Sequence, residues 1–90
     1  MRFEWDEEKA ENNLQKHGVS FEEAAESFLD PNSIIEFDEA HSLREERFWL
    51  IGLSKRGLLT TVFVEKGIDN YRIISSWKST TRERKRYEQG

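Results

Sequence analysis

The chain has no cysteine and a single proline, Pro31, among its 90 residues. Without cysteine there are no disulfides, no thiolate zinc sites and no cysteine nucleophile, and the composition suits a reducing compartment. Apolar residues are scarce too, at 36%, and no run approaches the roughly 18 apolar residues of a membrane span. The opening stretch MRFEWDEEK lacks the apolar core of a secretory signal. These absences predict a cytoplasmic chain with no membrane association. The apolar surface that exists sits in large side chains: six Phe, three Trp and two Tyr. Each ring buries a large area, so residues 1–90 are expected to form one small domain around an aromatic core. Repeats, low-complexity tracts and linkers are missing as well. Two histidines and scattered carboxylates lack the spacing of a zinc motif, and IGLSKRG has the wrong order for a phosphate loop, so no metal and no cofactor is expected.

Charge is unevenly placed. The formal net charge is −4, yet residues 1–48 carry five basic and fourteen acidic groups, whereas residues 71–90 carry six basic (Arg72, Lys78, Arg82, Arg84, Lys85, Arg86) and two acidic. A basic end of this kind suits an anionic partner, most often nucleic acid. A solvated basic helix that balances the acidic front half is the plainer alternative.

Hydrophobic periodicity divides the chain into elements. RFEW (2–5) alternates Phe3 and Trp5 with polar residues, as a short half-buried strand does. Asp6 then caps a helix over 7–17, with Glu7 and Glu8 in its positive first turn and Gly18 ending it. Ser20 and Glu23 have capping-box spacing, and Phe21, Ala24, Ala25, Phe28 and Leu29 mark one face of a second helix that Asp30-Pro31 stops. Strand-like runs follow at 33–38, 47–54, 58–65 and 71–77, the middle pair joined as a hairpin by KRG. Strict alternation in the last strand would put Tyr71, Ile73 and Ser75 on one face and Arg72, Ile74 and Ser76 on the other. Thr80 and Glu83 again have capping-box spacing and start a final helix whose single large amphipathic anchor is Tyr87. The order β-α-α-β-β-β-β-α gives an α+β fold, with an antiparallel curled sheet and the helices clustered on one side of it.

These motifs together resemble the BrnT family of type II toxins, which have a RelE-like fold. The matching stretches are FEWDEEKAENNLQKHGVSFEEA (3–24), Asp30-Pro31, His41-Ser42, Glu45-Glu46-Arg47, Ile51-Gly52 and RIIS…ERKRYE (72–88). The resemblance implies an RNA-cleaving toxin that halts translation and is neutralised by a BrnA-like antitoxin. Such antitoxins carry a ribbon-helix-helix domain, so operator DNA would be contacted only through the antitoxin. The chain departs from the family at one point. Where the family reads Ile-Ser-Ala-Arg, this sequence has Ile74-Ser75-Ser76-Trp77, followed by Lys78. A catalytically weak homologue that serves as a binding module and co-repressor with its antitoxin is therefore the alternative.

Metal-free RNA cleavage needs a base for the ribose 2′-OH, cations for the phosphorane-like transition state and an acid for the leaving oxygen. Arginine offers a planar fork suited to phosphate. The expected catalytic set is Arg72 and Arg84 as phosphate clamps, Lys78 as second cation or proton donor, and Tyr87 as acid, base or orienting group. As a base, Tyr87 needs its pKa depressed by neighbours such as Arg84 and Arg86. The expected substrate contacts are His41, with Asp38 or Glu45 as a possible partner, Trp77 as a stacking ring, and Arg82. Against these stand plainer roles: Tyr87 as the anchor of its helix, Trp77 as a core or antitoxin-interface aromatic, Arg82, Lys85 and Arg86 as solvated charge, His17 as a helix-terminal cap, and Glu45–Arg47 as an internal ion pair.

Overall fold

The computed structural model describes residues 1–90. Strand β1 (Arg2–Glu4) leads through helices α1 (Glu7–His17) and α2 (Phe21–Ser27) to β2 (Ile34–Phe37). A one-turn 3-10 segment, Glu39–His41, interrupts the connection to β3 (Phe48–Ser54). Then come β4 (Gly57–Glu65), β5 (Asn70–Lys78) and the final helix α3 (Thr81–Gln89). The element order is the one the sequence predicts, and local chemistry sets the ends. Asp6 accepts the N–H groups of Glu8 and Lys9, and Ser20/Glu23 and Thr80/Glu83 both close as reciprocal capping boxes. Gly18 terminates α1 in the left-handed region at φ 69°, its N–H donating to the Leu14 carbonyl. Helix α2 is shorter than its apolar stripe suggests. It ends at Ser27, so Leu29 falls outside the helical repeat and is 71% exposed.

The sheet is open, in the order β1-β5-β4-β3-β2. The run from β2 to β5 is an antiparallel meander, as expected, but β1 pairs with β5 in parallel, Phe3 opposite Tyr71. Two helices and three strands separate β1 from its partner, so no hairpin obliges the pair to run antiparallel.

Helices α1 and α2 cover one face. Phe28, Leu50 and Phe63 form a buried cluster with Phe3, Phe48 and Tyr71 packed against it; Phe21, Ala24 and Ile73 form a second beside Trp5. Edge-to-face ring pairs, Phe3–Phe28 at 4.9 Å and Phe28–Phe63 at 5.0 Å, knit the first cluster. Buried Asn13 ties α1 to the last strand. Its amide nitrogen donates to the carbonyls of Val19 (3.0 Å) and Ser76 (2.9 Å), and its oxygen accepts the Ser76 N–H at 3.1 Å. The end of α2 lies so close to β3 that a Cβ on Gly52 would sit 2.4 Å from the Ser27 carbonyl oxygen.

Two further features differ from the sequence expectation, and both shape the opposite face. Helix α3 does not join α1 and α2. Its Glu83 bonds to Thr60 and Trp77, whose side chains leave the sheet on the side away from the aromatic core. The other feature is a β-bulge. Val62 is opposite Ser75 while Phe63 is opposite Ile73, so Ile74 is the extra residue. A bulge resets the alternation of a strand. Arg72 therefore shares the face of Ser75 and Trp77, not that of Ser76. Ser76 turns inward with Ile73, fully buried, its hydroxyl 3.0 Å from that of Thr61.

Candidate functional site

The face opposite α1 and α2 holds a trough. Trp49, Val62, Ser75 and Trp77 floor one end of it, and Asp38, His41 and Arg47 form the rim. A wider cavity of about 570 Å³ continues toward α3; it shares Asp38 and Trp49 and is bounded by Glu36, Arg82 and Arg86.

The rim is built by the β2–β3 connection. The Asp38 N–H donates to the Arg47 carbonyl at 2.8 Å, the Ser42 hydroxyl donates to the Asp38 carbonyl, and the Arg47 N–H donates to Ser42 Oγ at 3.0 Å. One serine thus staples both ends of the loop and fixes the turn between them. That turn sets His41 Nδ1 3.1 Å from Asp38 Oδ2 and 3.2 Å from Oδ1. The Asp38 side chain is 7% exposed and that of His41 68%. A carboxylate that accepts from Nδ1–H leaves Nε2 as the basic nitrogen, and here Nε2 has no protein partner. Burial pushes the Asp38 carboxyl up, but the neighbouring Trp49 indole N–H and His41 outweigh it and hold the group below its ordinary 3.8. The Trp49 Nε1 exerts this pull from outside hydrogen-bonding geometry and is buried without a bonded partner.

Helix α3 has no buried residue and is held by polar contacts. Glu83 Oε1 accepts from the Thr60 hydroxyl (2.9 Å), Trp77 Nε1 (3.1 Å) and the Thr80 N–H (2.9 Å). Arg86 pairs with Glu36. The Tyr87 hydroxyl donates to Asp30 Oδ2, which also accepts the Leu53 N–H at 2.8 Å. That bond to Asp30, with burial, raises the Tyr87 pKa above 10.0, the reverse of the depression a basic role needs. Burial raises Asp30, but the Tyr87 hydroxyl and the N–H groups of Leu53 and Asn32 outweigh it, and its pKa lies below 3.8.

Of the seven residues singled out in the sequence, the structure gathers His41, Trp77 and Arg82 around the trough and places Arg72 on the same sheet face. It separates the other three. Lys78 is paired with Leu59 on the helix-covered face, where its charge adds a minor part, after the Ser20 hydrogen bonds and Arg56, to the lowering of the Glu23 carboxyl. Arg84 is exposed on α3, and its guanidinium makes no bond to the protein. Tyr87 lies under α3 and is committed to Asp30. Trp77 is half-buried, edge-on to Trp49 with ring centroids 5.9 Å apart and 6.0 Å from the His17 ring. The Glu45–Arg47 ion pair is present at 3.9 Å. Sequence reasoning gave Arg47, Trp49 and Glu36 no part in the site; the signal for Arg47 was its link to His41-Ser42, which only the folded loop displays. No three His, Asp or Glu side chains converge closely enough to form a metal-ligand set, and no helix is long and apolar enough to cross a membrane.

A family model described as "Ribonuclease toxin, BrnT, of type II toxin-antitoxin system" matches residues 5–83. No curated protein shows significant similarity to the chain. Among solved structures, the ribonuclease toxin BrnT of Brucella abortus superposes with a TM-score of 0.69, covering 90% of this chain and 99% of that one at 24% identity. Likeness at that level is a likeness of fold, and it agrees with the α+β order and open sheet described above.

Proposed function

The chain belongs to the BrnT family of ribonuclease toxins of type II toxin–antitoxin systems, and from that premise we propose that it is a metal-independent endoribonuclease. The observation that carries the proposal is the His41–Asp38 pair, set at the rim of a trough whose side of the sheet also presents Arg47, Arg72 and Arg82.

In the proposed reaction His41 Nε2 takes the proton of a ribose 2′-OH. The 2′-oxygen bonds to the adjacent phosphorus as the P–O5′ bond breaks, and water in the open trough protonates the departing 5′-oxygen. The products are a 2′,3′-cyclic phosphate and a 5′-hydroxyl. Asp38 keeps the imidazole in the required tautomer and balances the imidazolium that forms. The arginines stabilise the charge that builds on phosphorus, worth roughly 3 kcal/mol for each well-placed donor. Arg84, exposed and unpaired, contacts a phosphate further along the strand. Trp77 forms an aromatic wall of the trough. Lys78 and Tyr87 receive no chemical step, since one faces α2 and the other holds α3 in place.

A toxin of this class implies an antitoxin partner. The partner we propose is a BrnA-like ribbon-helix-helix protein that neutralises the toxin in the cytoplasm, covers the basic α3 face and carries the complex to operator DNA; inhibition of translation follows from RNA cleavage.

The test uses single-stranded RNA, excess EDTA, and the purified chain beside His41→Ala and Arg84→Ala. Cleavage to cyclic-phosphate ends, lost in His41→Ala and weakened in Arg84→Ala, is the expected result. Equal cleavage by His41→Ala would overturn the assignment of the base. RNA binding without cleavage by any of the three would move the function to the binding module that Trp77 first suggests.

A further inference from the structure

We infer that the cavity between Trp49 and α3 is a guanine-selective base pocket, read by the Glu36 carboxylate. The inference rests on the RNA-cleaving reading above and names the base that its site takes. The cavity is continuous with the rim that carries His41, through shared Asp38 and Trp49, so a base seated in it belongs to a nucleotide next to the proposed scissile bond. Its volume, about 570 Å³, lies within the roughly 300–1,000 Å³ of small-molecule pockets. Trp49 and Ile51 give it an apolar wall, and a flat base stacks on such an indole without regard to identity.

Identity comes from the polar atoms. Glu36 is the informative one. A carboxylate beside a phosphate-binding trough repels the substrate backbone, unless the substrate brings donors to it. Glu36 Oε2 is paired with Arg86, which fixes the carboxylate against α3, while Oε1 has no protein partner and the side chain is 37% exposed. A carboxylate accepts two neighbouring N–H groups whether or not Arg86 holds it. Guanine alone among the four bases presents such a pair on its Watson–Crick edge, N1–H and the N2 amine. Adenine and cytosine place a ring-nitrogen acceptor beside their amine, and uracil flanks its one N–H with two carbonyls; each meets the carboxylate with a lone pair. Arg82, which lines the same cavity with an exposed side chain that makes no bond to the protein, offers donors to the O6 and N7 acceptors of the same base. The cavity thus carries an acceptor for one edge of guanine and a donor for the other.

The test is a titration of the full chain with GMP, AMP, CMP and UMP, followed by tryptophan fluorescence and by the indole N–H signals in NMR spectra. GMP is expected to bind roughly 5- to 150-fold more tightly than the others, the discrimination typical of one bidentate contact. In Glu36→Gln the ratio should fall toward one, because the amide keeps one acceptor and gains a donor: GMP loses a contact, while the ring-nitrogen and carbonyl acceptors of the other bases no longer face a carboxylate lone pair. Arg86→Ala breaks the same ion pair but leaves the carboxylate, and should keep the preference for GMP. Four equal affinities in the parent chain, or a preference that survives in Glu36→Gln, would overturn the inference. So would equal loss in Arg86→Ala and Glu36→Gln, which would assign Glu36 to holding α3 alone. Binding of mononucleotides needs no cleavage, so the two readings fail separately: a chain that selects GMP but leaves RNA intact loses only its nuclease assignment, and one that cleaves RNA yet binds all four alike loses only its base pocket.

Discussion

The Tyr87 hydroxyl donates a hydrogen bond to Asp30 Oδ2 at 2.5 Å, joining the last helix to the turn after α2 across 57 positions of chain. With Glu83 and the Arg86–Glu36 pair, this bond does for α3 what a buried apolar stripe does for most helices. Its loss is expected to be felt first at the C-terminus. Tyr87→Phe keeps the ring and removes the hydroxyl; it should lower stability by about 1 kcal/mol near neutral pH, the value of a charge-assisted bond discounted for partial exposure. The pH dependence has two limbs. Asp30 has a folded pKa below its ordinary 3.8, so its contribution is present above that value and is lost as the pH falls through the folded pKa. Tyr87 has a folded pKa above 10.0, so its contribution is present below that value and is lost as the pH rises through the folded pKa. Urea unfolding of both proteins across the pH range should show a difference that is widest between about 4 and 10 and narrows at either end. No difference at any pH would mean that the ring, which both proteins keep, and not the bond, anchors the helix.

Asn13 makes a sharper prediction. Its amide satisfies two carbonyls and one N–H in a site where the side chain is almost wholly buried. Asn13→Ala leaves all three groups without a partner and is expected to cost about 3 kcal/mol. Asn13→Asp should be no better, since a carboxylate replaces the donor with an acceptor facing two carbonyl oxygens. Thermal denaturation of either variant at the parent's midpoint would settle the matter.

Much of this architecture is legible in the sequence, for identifiable reasons. Capping boxes at Ser20/Glu23 and Thr80/Glu83, the Gly18 stop and the period-two runs depend on residues a few positions apart, so the sequence displays them directly. What it conceals are effects of pairing. The bulge at Ile74 exists only relative to β4, and no local signal marks it. Yet it decides which face receives Arg72. The parallel β1–β5 pair and the docking of α3 on the second face likewise depend on partners far along the chain. The same holds for the site. His41 and its possible partner Asp38 are three residues apart and can be suspected from spacing. That Ser42 bonds to both Asp38 and Arg47, and so aims the histidine, is visible only once the loop is closed. Lys78 looked catalytic because it follows the departure at Trp77, but alternation after the bulge turns it toward Glu23.

The surroundings of Trp77 predict a structural contribution. Its indole N–H donates to Glu83 at 3.1 Å and its ring meets Trp49 edge-on. Trp77→Phe preserves most of the ring contact and removes the bond. It is expected to destabilise the protein by about 1 kcal/mol while leaving RNA affinity within a few-fold of the parent. A loss of RNA affinity far beyond the loss of stability would instead identify the indole as a stacking surface for substrate.

Asp38→Asn tests the centre of the proposed mechanism. The substitution nearly preserves shape and, in one orientation, still accepts from His41 Nδ1–H, but it removes the charge that favours that tautomer and balances the imidazolium. If Asp38 positions His41, the turnover rate should fall by roughly 10²-fold, within the range lost when a positioned base is disabled, while the Michaelis constant stays near the parent value because the arginines that bind RNA are untouched. A purely structural role predicts otherwise: reduced stability with turnover per folded molecule unchanged. The acid limb gives a second readout. The Asp38 pKa lies below 3.8 in the folded chain, so its stabilising contribution is present above that pH and disappears as the pH falls through the folded value. The parent should therefore lose stability in acid more steeply than Asp38→Asn, whose amide does not titrate. Coincident acid-unfolding curves for the two proteins, with parental turnover in the variant, would remove Asp38 from the mechanism and leave His41 as an exposed histidine with no orienting partner.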